Sequence, residues 1–452
     1  MKTKTALFET ASIPRAVMSF GLPMMFGMLV TIVYVIVDTF FVARTGDPNQ
    51  VAAVTVCMPA FMLCMGLGNI FGVGGASYIS RLLGEKDHVR VKKTSAFVFY
   101  ASLSFAVAGT GLIFLFMPRI LRLIGASPFT EGFARSYLSW IAAGAPAIVL
   151  SFGLGQILRS IGAAKEAMTG MILGTVLNII LDPIMILALD MGVAGAAVAT
   201  VLSNVLPVLY YLRLIASRDS LLSINPKDFS LEARIVRSVL AIGIPTTISE
   251  LLMSAANMLL NRFASAYGDT FLAAMGIAYT VVMVPSMLVM GLSQGIQPLI
   301  GYTYTAKLHL RLKGVLKFTL LTTTVFGAAL AVLIWLFGGN TIGLFMDDES
   351  VVRHGRRIVR FLVWSMPFLG AQFVLSTVFQ SLGKAKQTLA LSVARQGLVL
   401  MPLLILFNMF IGQDGIILAQ PVSDAASLLI SVALFLPIRR ELSPPLPAGH
   451  TC

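Results

Sequence analysis

The sequence predicts an all-α polytopic membrane protein, with twelve transmembrane helices in two six-helix lobes related by a parallel pseudo-two-fold repeat. Composition, the count of apolar segments and an internal repeat carry that expectation. The 452 residues are 57% hydrophobic and only 12% charged. An average soluble domain is about a quarter charged, so too few polar side chains remain to clothe a water-soluble body of this size. A soluble enzyme, a disordered tail and an ordinary nucleic-acid binder are thereby excluded, and the lipid bilayer becomes the expected solvent.

A membrane helix needs about 20 predominantly apolar residues. Twelve segments qualify, near 16–43, 51–80, 94–117, 133–158, 166–189, 191–213, 238–266, 271–304, 315–338, 357–381, 387–411 and 415–437. The first is too long for a signal-peptide core and lacks a small-residue cleavage site, so it reads as a retained span. The links are short and polar, apart from the one near 214–237. The expected organisation is therefore an N-lobe over 1–213 (spans 1–6), a cytoplasmic inter-lobe link over 214–237, a C-lobe over 238–440 (spans 7–12) and a cytoplasmic tail over 441–452.

The formal net charge of +13 follows the topology and calls for no nucleic acid. With the N-terminus inside, 23 of the 33 Lys and Arg residues fall at inner ends of spans and nine at outer ends. Cytoplasmic loops collect such residues, so both termini are expected in the cytoplasm and the chain in the plasma (inner) membrane. Cys57, Cys64 and Cys452 form neither a disulfide framework nor a metal-ligand spacing.

The halves resemble each other at a spacing of about 221 residues. Gly21-Leu22-Pro23 recurs as Gly243-Ile244-Pro245, Gly46-Asp47 as Gly268-Asp269, Ser160-Ile161-Gly162 as Ser381-Leu382-Gly383, and Pro146 as Pro367. Six spans is an even number, so the second half inserts in the same direction as the first. Such paired bundles usually hold a cavity and work by rocking. Proline interrupts many spans, including Pro23, Pro59, Pro146, Pro183, Pro245, Pro285, Pro367 and Pro402. Each removes a backbone hydrogen bond and tends to kink its helix.

Ionisable groups in lipid are costly and usually face a cavity or a partner. Four acids lie well within spans: Asp38, Asp182, Glu250 and Asp424. Asp38 precedes Arg44 by six residues and Asp182 precedes Asp190 by eight, which places them roughly 9 and 12 Å below the outer boundary at 1.5 Å per residue. Thr200, ten residues after Asp190, lies about 15 Å deep by the same rise. Asn178 shares the helix face of Asp182. Two carboxylates, an amide oxygen and a hydroxyl suit Na⁺, and two buried carboxylates alone also suit H⁺. The repeat sharpens this: Asp38 maps to Leu260 and Asp182 to Leu403, so fold symmetry alone does not demand carboxylates there. The alternative is a hydrogen-bonded pair that merely fixes the bundle.

In the other half, Arg395 is expected to form a structural ion pair with Asp424 or Glu250. Glu250 otherwise faces a cavity and attracts cationic substrates. Met28, Tyr34, Tyr279 and Met287 either line an adaptable substrate surface or simply pack. Gly72-Val73-Gly74-Gly75 sits inside a span and reads as close helix packing. No phosphate loop, zinc spacing or hydrolase elbow is present. No enzymatic activity and no cofactor are expected, and energy must come from an ion gradient or a partner protein.

Four strings at successive positions carry a resemblance. They are Val37-Asp38-Thr39-Phe40-Phe41-Val42 on span one, Ser80-Arg81-Leu82-Leu83-Gly84 after span two, Arg159-Ser160-Ile161-Gly162 after span four, and Leu177-Asn178-Ile179-Ile180-Leu181-Asp182-Pro183 on span five. Together they resemble the multidrug and toxic compound extrusion (MATE) family over roughly residues 14 to 440. The resemblance implies two lobes in a V shape and an antiporter that exports cationic or lipophilic organic compounds against H⁺ or Na⁺. It also implies an N-lobe cation site at Asp38, Asn178, Asp182 and Thr200, and bending of the first helix at Pro23. One departure concerns the family's sodium-dependent branch, which carries a C-lobe site with acids on spans seven and ten. Glu250 fits the first, but Phe361 to Gln380 contains no acid.

The expected protein is thus an ion-driven multidrug exporter acting as a monomer. A lipid-linked oligosaccharide flippase of the same superfamily is the alternative, weakened because Arg395 is the one plainly intramembrane cation. A non-transporting receptor or channel is the alternative from another class. A major facilitator transporter does not fit, since the link after span two lacks that family's Asp-Arg-x-Gly-Arg pattern.

Overall fold

Apolar segments of this length can satisfy their backbone in lipid only by bonding N–H to C=O within the segment, which means helix. The structure, a computed structural model, describes residues 7–44, 47–217, 220–343 and 348–441. Lys2, Lys4, Gly46, Arg218 and the expected tail beyond Glu441 lie outside them. Among the described residues, twelve helices are long and apolar enough to cross a membrane. They are α1 (Ile13–Val42), α2 (Pro48–Gly84), α3 (His88–Leu123), α4 (Glu131–Ser160), α5 (Ala164–Ala188), α6 (Gly192–Ile215), α7 (Ala233–Ser265), α8 (Asp269–Thr305), α9 (His309–Ile342), α10 (Glu349–Ser381), α11 (Ala385–Phe410) and α12 (Gln413–Arg439).

Each falls on an expected segment, and the differences lie at polar ends. The largest is at α10, which begins eight residues before the expected start. Its first turns carry Arg353, Arg356 and Arg357 and are invisible to an apolar window. Asp348 caps them, its Oδ1 accepting from the backbone N–H groups of Ser350 at 2.8 Å and Val351 at 3.2 Å. These hydrogen bonds hold the Asp348 carboxyl below the usual carboxylate range, the Ser350 hydroxyl contributing most.

Helix pairing repeats between the halves. In the first, α2 lies along α4, α3 against α4, α4 along α6 and α5 beside α6; in the second, α8 and α10, α9 and α10, α10 and α12, and α11 and α12 pair in the same way. Contacts divide the chain into two compact units. The first is Phe26–Thr247; the second runs from Ile248 onward and includes α1 as far as Met25. The first core holds Ile141, Ile148, Val149 and Ala197, and the second holds Phe271, Ile358, Leu404 and Ile416.

These units differ from the lobes expected at 1–213 and 238–440. The start of α7 packs into the first unit and the start of α1 into the second. In each helix the change comes two residues after the repeated proline, Pro23 in α1 and Pro245 in α7. A residue without an N–H leaves one turn of the ladder open, so each helix can follow one unit before its proline and the other after it. Contact surface, not chain order, decides the assignment. Ile235, Val239 and Ile242 of α7 are fully buried within the first unit.

Glycine makes the tight helix contacts possible. A Cβ at Gly72 would sit 2.8 Å from Gly153 Cα, so α2 and α4 touch backbone to backbone there. A Cβ at Gly74 would overlap the Val239 carbonyl oxygen of α7. Gly109 of α3 faces open space, with nothing within 4 Å. Gly74→Ala is therefore expected to destabilise the protein by about 1–3 kcal/mol, the usual cost of overpacking. Gly109→Ala should instead add up to about 1 kcal/mol through helix propensity. Thermal unfolding of the two variants in one detergent checks the opposite signs.

Candidate cation-binding site

Helix α5 supplies the centre. Asn178 and Asp182 stand one turn apart on its buried face, both at 0% exposure. The Asn178 amide Nδ2 donates to Asp182 Oδ1 at 3.1 Å. Pro183 follows directly, and over Pro183–Ala188 the helix widens, the Leu189 N–H reaching back five residues to the Ile184 carbonyl at 2.8 Å. Wide turns of this kind occur frequently at functional sites.

Helix α1 brings Tyr34 and Asp38 on one face, four residues apart and both half-buried. The Tyr34 hydroxyl lies 3.5 Å from the Thr200 hydroxyl of α6. Thr200 is nearly buried, and its carbonyl accepts from Ser203 Oγ at 2.8 Å and Asn204 Nδ2 at 2.9 Å. Asp38 and Asp182 are within electrostatic range of each other, and Tyr34 and Tyr137 are within range of both. Asp38, Asn178, Asp182 and Thr200 thus belong to one neighbourhood of the first unit.

Three oxygens define its chemistry. Asp38 Oδ1, Asn178 Oδ1 and Asp182 Oδ2 are buried without a hydrogen-bond partner. Most buried polar atoms are satisfied, so orphaned acceptors call for an explanation. Acceptors lack hydrogen to give, and what answers them is a proton on a carboxylate or a cation held among oxygens. In the second half the equivalent positions are hydrocarbon. Leu260 is buried in the second core and Leu403 packs against it.

Tyr137 of α4 is the participant missed in the sequence. Its signal was position along the span: it lies six residues inside the Glu131 end of α4, about 9 Å at helical rise. Sequence spacing gave no sign that α4 turns this face toward α1 and α5.

The remaining candidates occupy other places. Pro23 is buried in α1, in the stretch that belongs to the second unit. Met28, Glu250 and Met287 are half-buried on α1, α7 and α8. Tyr279 lies within electrostatic range of Asp424. Arg395 Nη2 approaches Asp424 Oδ1 at 3.4 Å, Gln420 Nε2 donates to Asp424 Oδ2 at 3.0 Å, and the guanidinium lies over the Phe373 ring at 5.2 Å. Asp424 is 1% exposed. Removing one partner of a buried pair strands the other charge and costs about 3–5 kcal/mol, whereas hydrophobic replacement of both is often neutral. Arg395→Leu should therefore lower the melting temperature sharply, and Arg395→Leu with Asp424→Leu should restore most of it, as read by thermal unfolding in detergent.

The family model MatE matches residues 23–184 and 245–406, two copies beginning at the aligned Pro23 and Pro245. The chain is 32% identical over 436 residues to the multidrug export protein MepA of Staphylococcus saprophyticus, covering 96% of each chain. Two solved structures superpose closely. One, described as MATE in complex with MaL6, has a TM-score of 0.91 at 27% identity and covers 98% of both chains. The other is described as the outward-facing conformation of a multidrug resistance MATE family transporter of the MOP superfamily. It has a TM-score of 0.91 at 26% identity, covering 98% of this chain and 99% of that one.

Proposed function

Because the chain belongs to the MatE family, we propose that it is a secondary active multidrug exporter, extruding lipophilic or cationic organic compounds in exchange for H⁺ or Na⁺. The observation that carries the coupling is the group of orphaned oxygens on Asp38, Asn178 and Asp182. The relative's name, multidrug export protein, supports the substrate class. The protein acts in the plasma membrane with both termini cytoplasmic, in keeping with the bias of Lys and Arg to the inner ends of its spans.

Asp38 and Asp182 take up the coupling cation, and Asn178 and Thr200 supply further oxygens for it. With the site empty, two carboxylates repel each other in a region of low dielectric. With the cation bound, that repulsion is relieved and α1 and α5 draw together. Tyr34 links the change to α6 through Thr200. The movement reaches α1 at Pro23, where the open turn lets the helix bend. Each charge crossing 100 mV supplies about 2.3 kcal/mol, so one or two ions sustain a useful drug gradient.

Proteoliposomes loaded with ethidium and given either a pH or a Na⁺ gradient test this reading. The unsubstituted protein moves the dye under one gradient, while Asp38→Asn and Asp182→Asn fall to the level of protein-free vesicles. Undiminished transport by Asp38→Asn removes the coupling role. Pro23→Ala is expected to slow export while leaving ethidium affinity unchanged, since alanine closes the turn and favours a straight helix by about 3 kcal/mol. Dye flux and fluorescence binding separate the two effects.

A further inference from the structure

A second feature of the first unit has no part in the cation chemistry. A cavity of about 330 Å³ opens beside α3, lined by Phe71 of α2, Phe97, Tyr100 and Phe105 of α3, Phe229 of the link and Leu240 of α7. Its wall is almost wholly apolar. From Phe97 to Phe105 it follows eight residues of helix, about 12 Å of rise, which is close to the depth of one leaflet's hydrocarbon in a core about 30 Å thick.

The link builds the lower wall. Ser95 Oγ donates to the Ser223 carbonyl at 2.9 Å and accepts from the Ser223 N–H at 2.8 Å. The Tyr100 hydroxyl donates to the Ile224 carbonyl at 2.9 Å, and Phe229 meets the Tyr100 ring edge to face at 5.5 Å. Lys93 and Glu232 close the far end as an ion pair. An otherwise polar segment is thus fastened so that Phe229 and Leu231 stand at the mouth, 40% and 69% exposed. Large apolar side chains held open by a fixed backbone are explained by an apolar occupant.

The rim is basic. Lys93 and Arg90 lie four and seven residues before Phe97 on the same stripe of α3, each already paired, Arg90 with Asp87 at 3.2 Å and Lys93 with Glu232. Arg234 and Arg237 stand exposed on the first turns of α7. Across residues 87–93 and 225–237 there are six Lys or Arg against three Asp or Glu. Hydrocarbon above and positive charge below match one amphiphile. We propose that the cavity binds an anionic phospholipid of the leaflet on the basic side, one acyl chain lying between Phe71, Phe105 and Leu240 and the phosphate meeting Arg234 and Arg237. Occupancy fastens the link against α3 where the chain enters α7.

Retention of lipid by the full chain tests the site independently of any transport role. The protein is reconstituted in vesicles of equimolar phosphatidylglycerol and phosphatidylcholine, extracted in mild detergent and examined by native mass spectrometry. Phosphatidylglycerol should be retained over phosphatidylcholine by about fivefold for each basic contact. Val236 also lines the cavity, and Val236→Trp, which fills it, should release both lipids. Arg234→Gln with Arg237→Gln should abolish the preference and leave the chain contact. Should the tryptophan variant fail to fold, as read by thermal unfolding, Leu231→Glu at the exposed mouth takes its place and should likewise expel phosphatidylglycerol. Equal retention of the two lipids overturns the proposal. So does unchanged phosphatidylglycerol in the variant that blocks the cavity, or its displacement by ethidium, which would assign the cavity to drug.

Discussion

Two carboxylates set among apolar helices within electrostatic range of one another constrain the first half of this molecule. Lipid and packed hydrocarbon offer a carboxylate nothing, and the cost of stranding one there is several kcal/mol on the mildest scales. Asn178 answers one oxygen of Asp182, which leaves one oxygen on each acid and one on the amide without a donor. The packing of α1, α5 and α6 around them is therefore tied to whatever neutralises them.

The repeat gives an internal control. Both halves pair their helices in the same order, so the architecture does not depend on the acids. Where the first half places Asp38 and Asp182, the second has Leu260 and Leu403 in or against its core. The second half buries its own charges differently, with Asp424 joined to Arg395 and Gln420. The first half leaves oxygens of its buried acids without a donor, while in the second half both oxygens of Asp424 meet side-chain donors.

Two helices, α1 and α7, divide their lengths between the compact units. Each helix changes unit just beyond its proline, where the backbone ladder is already open. Close approaches through Gly72 and Gly74 bring helix backbones against one another, where a methyl group would not fit.

Much was legible in the sequence because hydrophobic length, charge asymmetry and a repeated Gly-Pro pattern are local or periodic quantities. All twelve spans, and the shared helix face of Asn178 and Asp182, follow from counting residues along helices of known rise. Tyr137 escaped, although its position along the span was equally countable, because that position says nothing of the direction a helix face turns. Likewise the sequence offered Arg395 two acids, and only packing of α11 on α12 brought Asp424 to it. The division into units escaped for the same reason: Val239 and Ile242 are apolar wherever they sit, and which neighbour buries them is a matter of contact. Segment length and residue type determined which stretches are apolar enough to cross a membrane and which of them carry charge. Tertiary structure alone decided which faces meet, because rotation of a helix about its axis depends on the shapes packed against it.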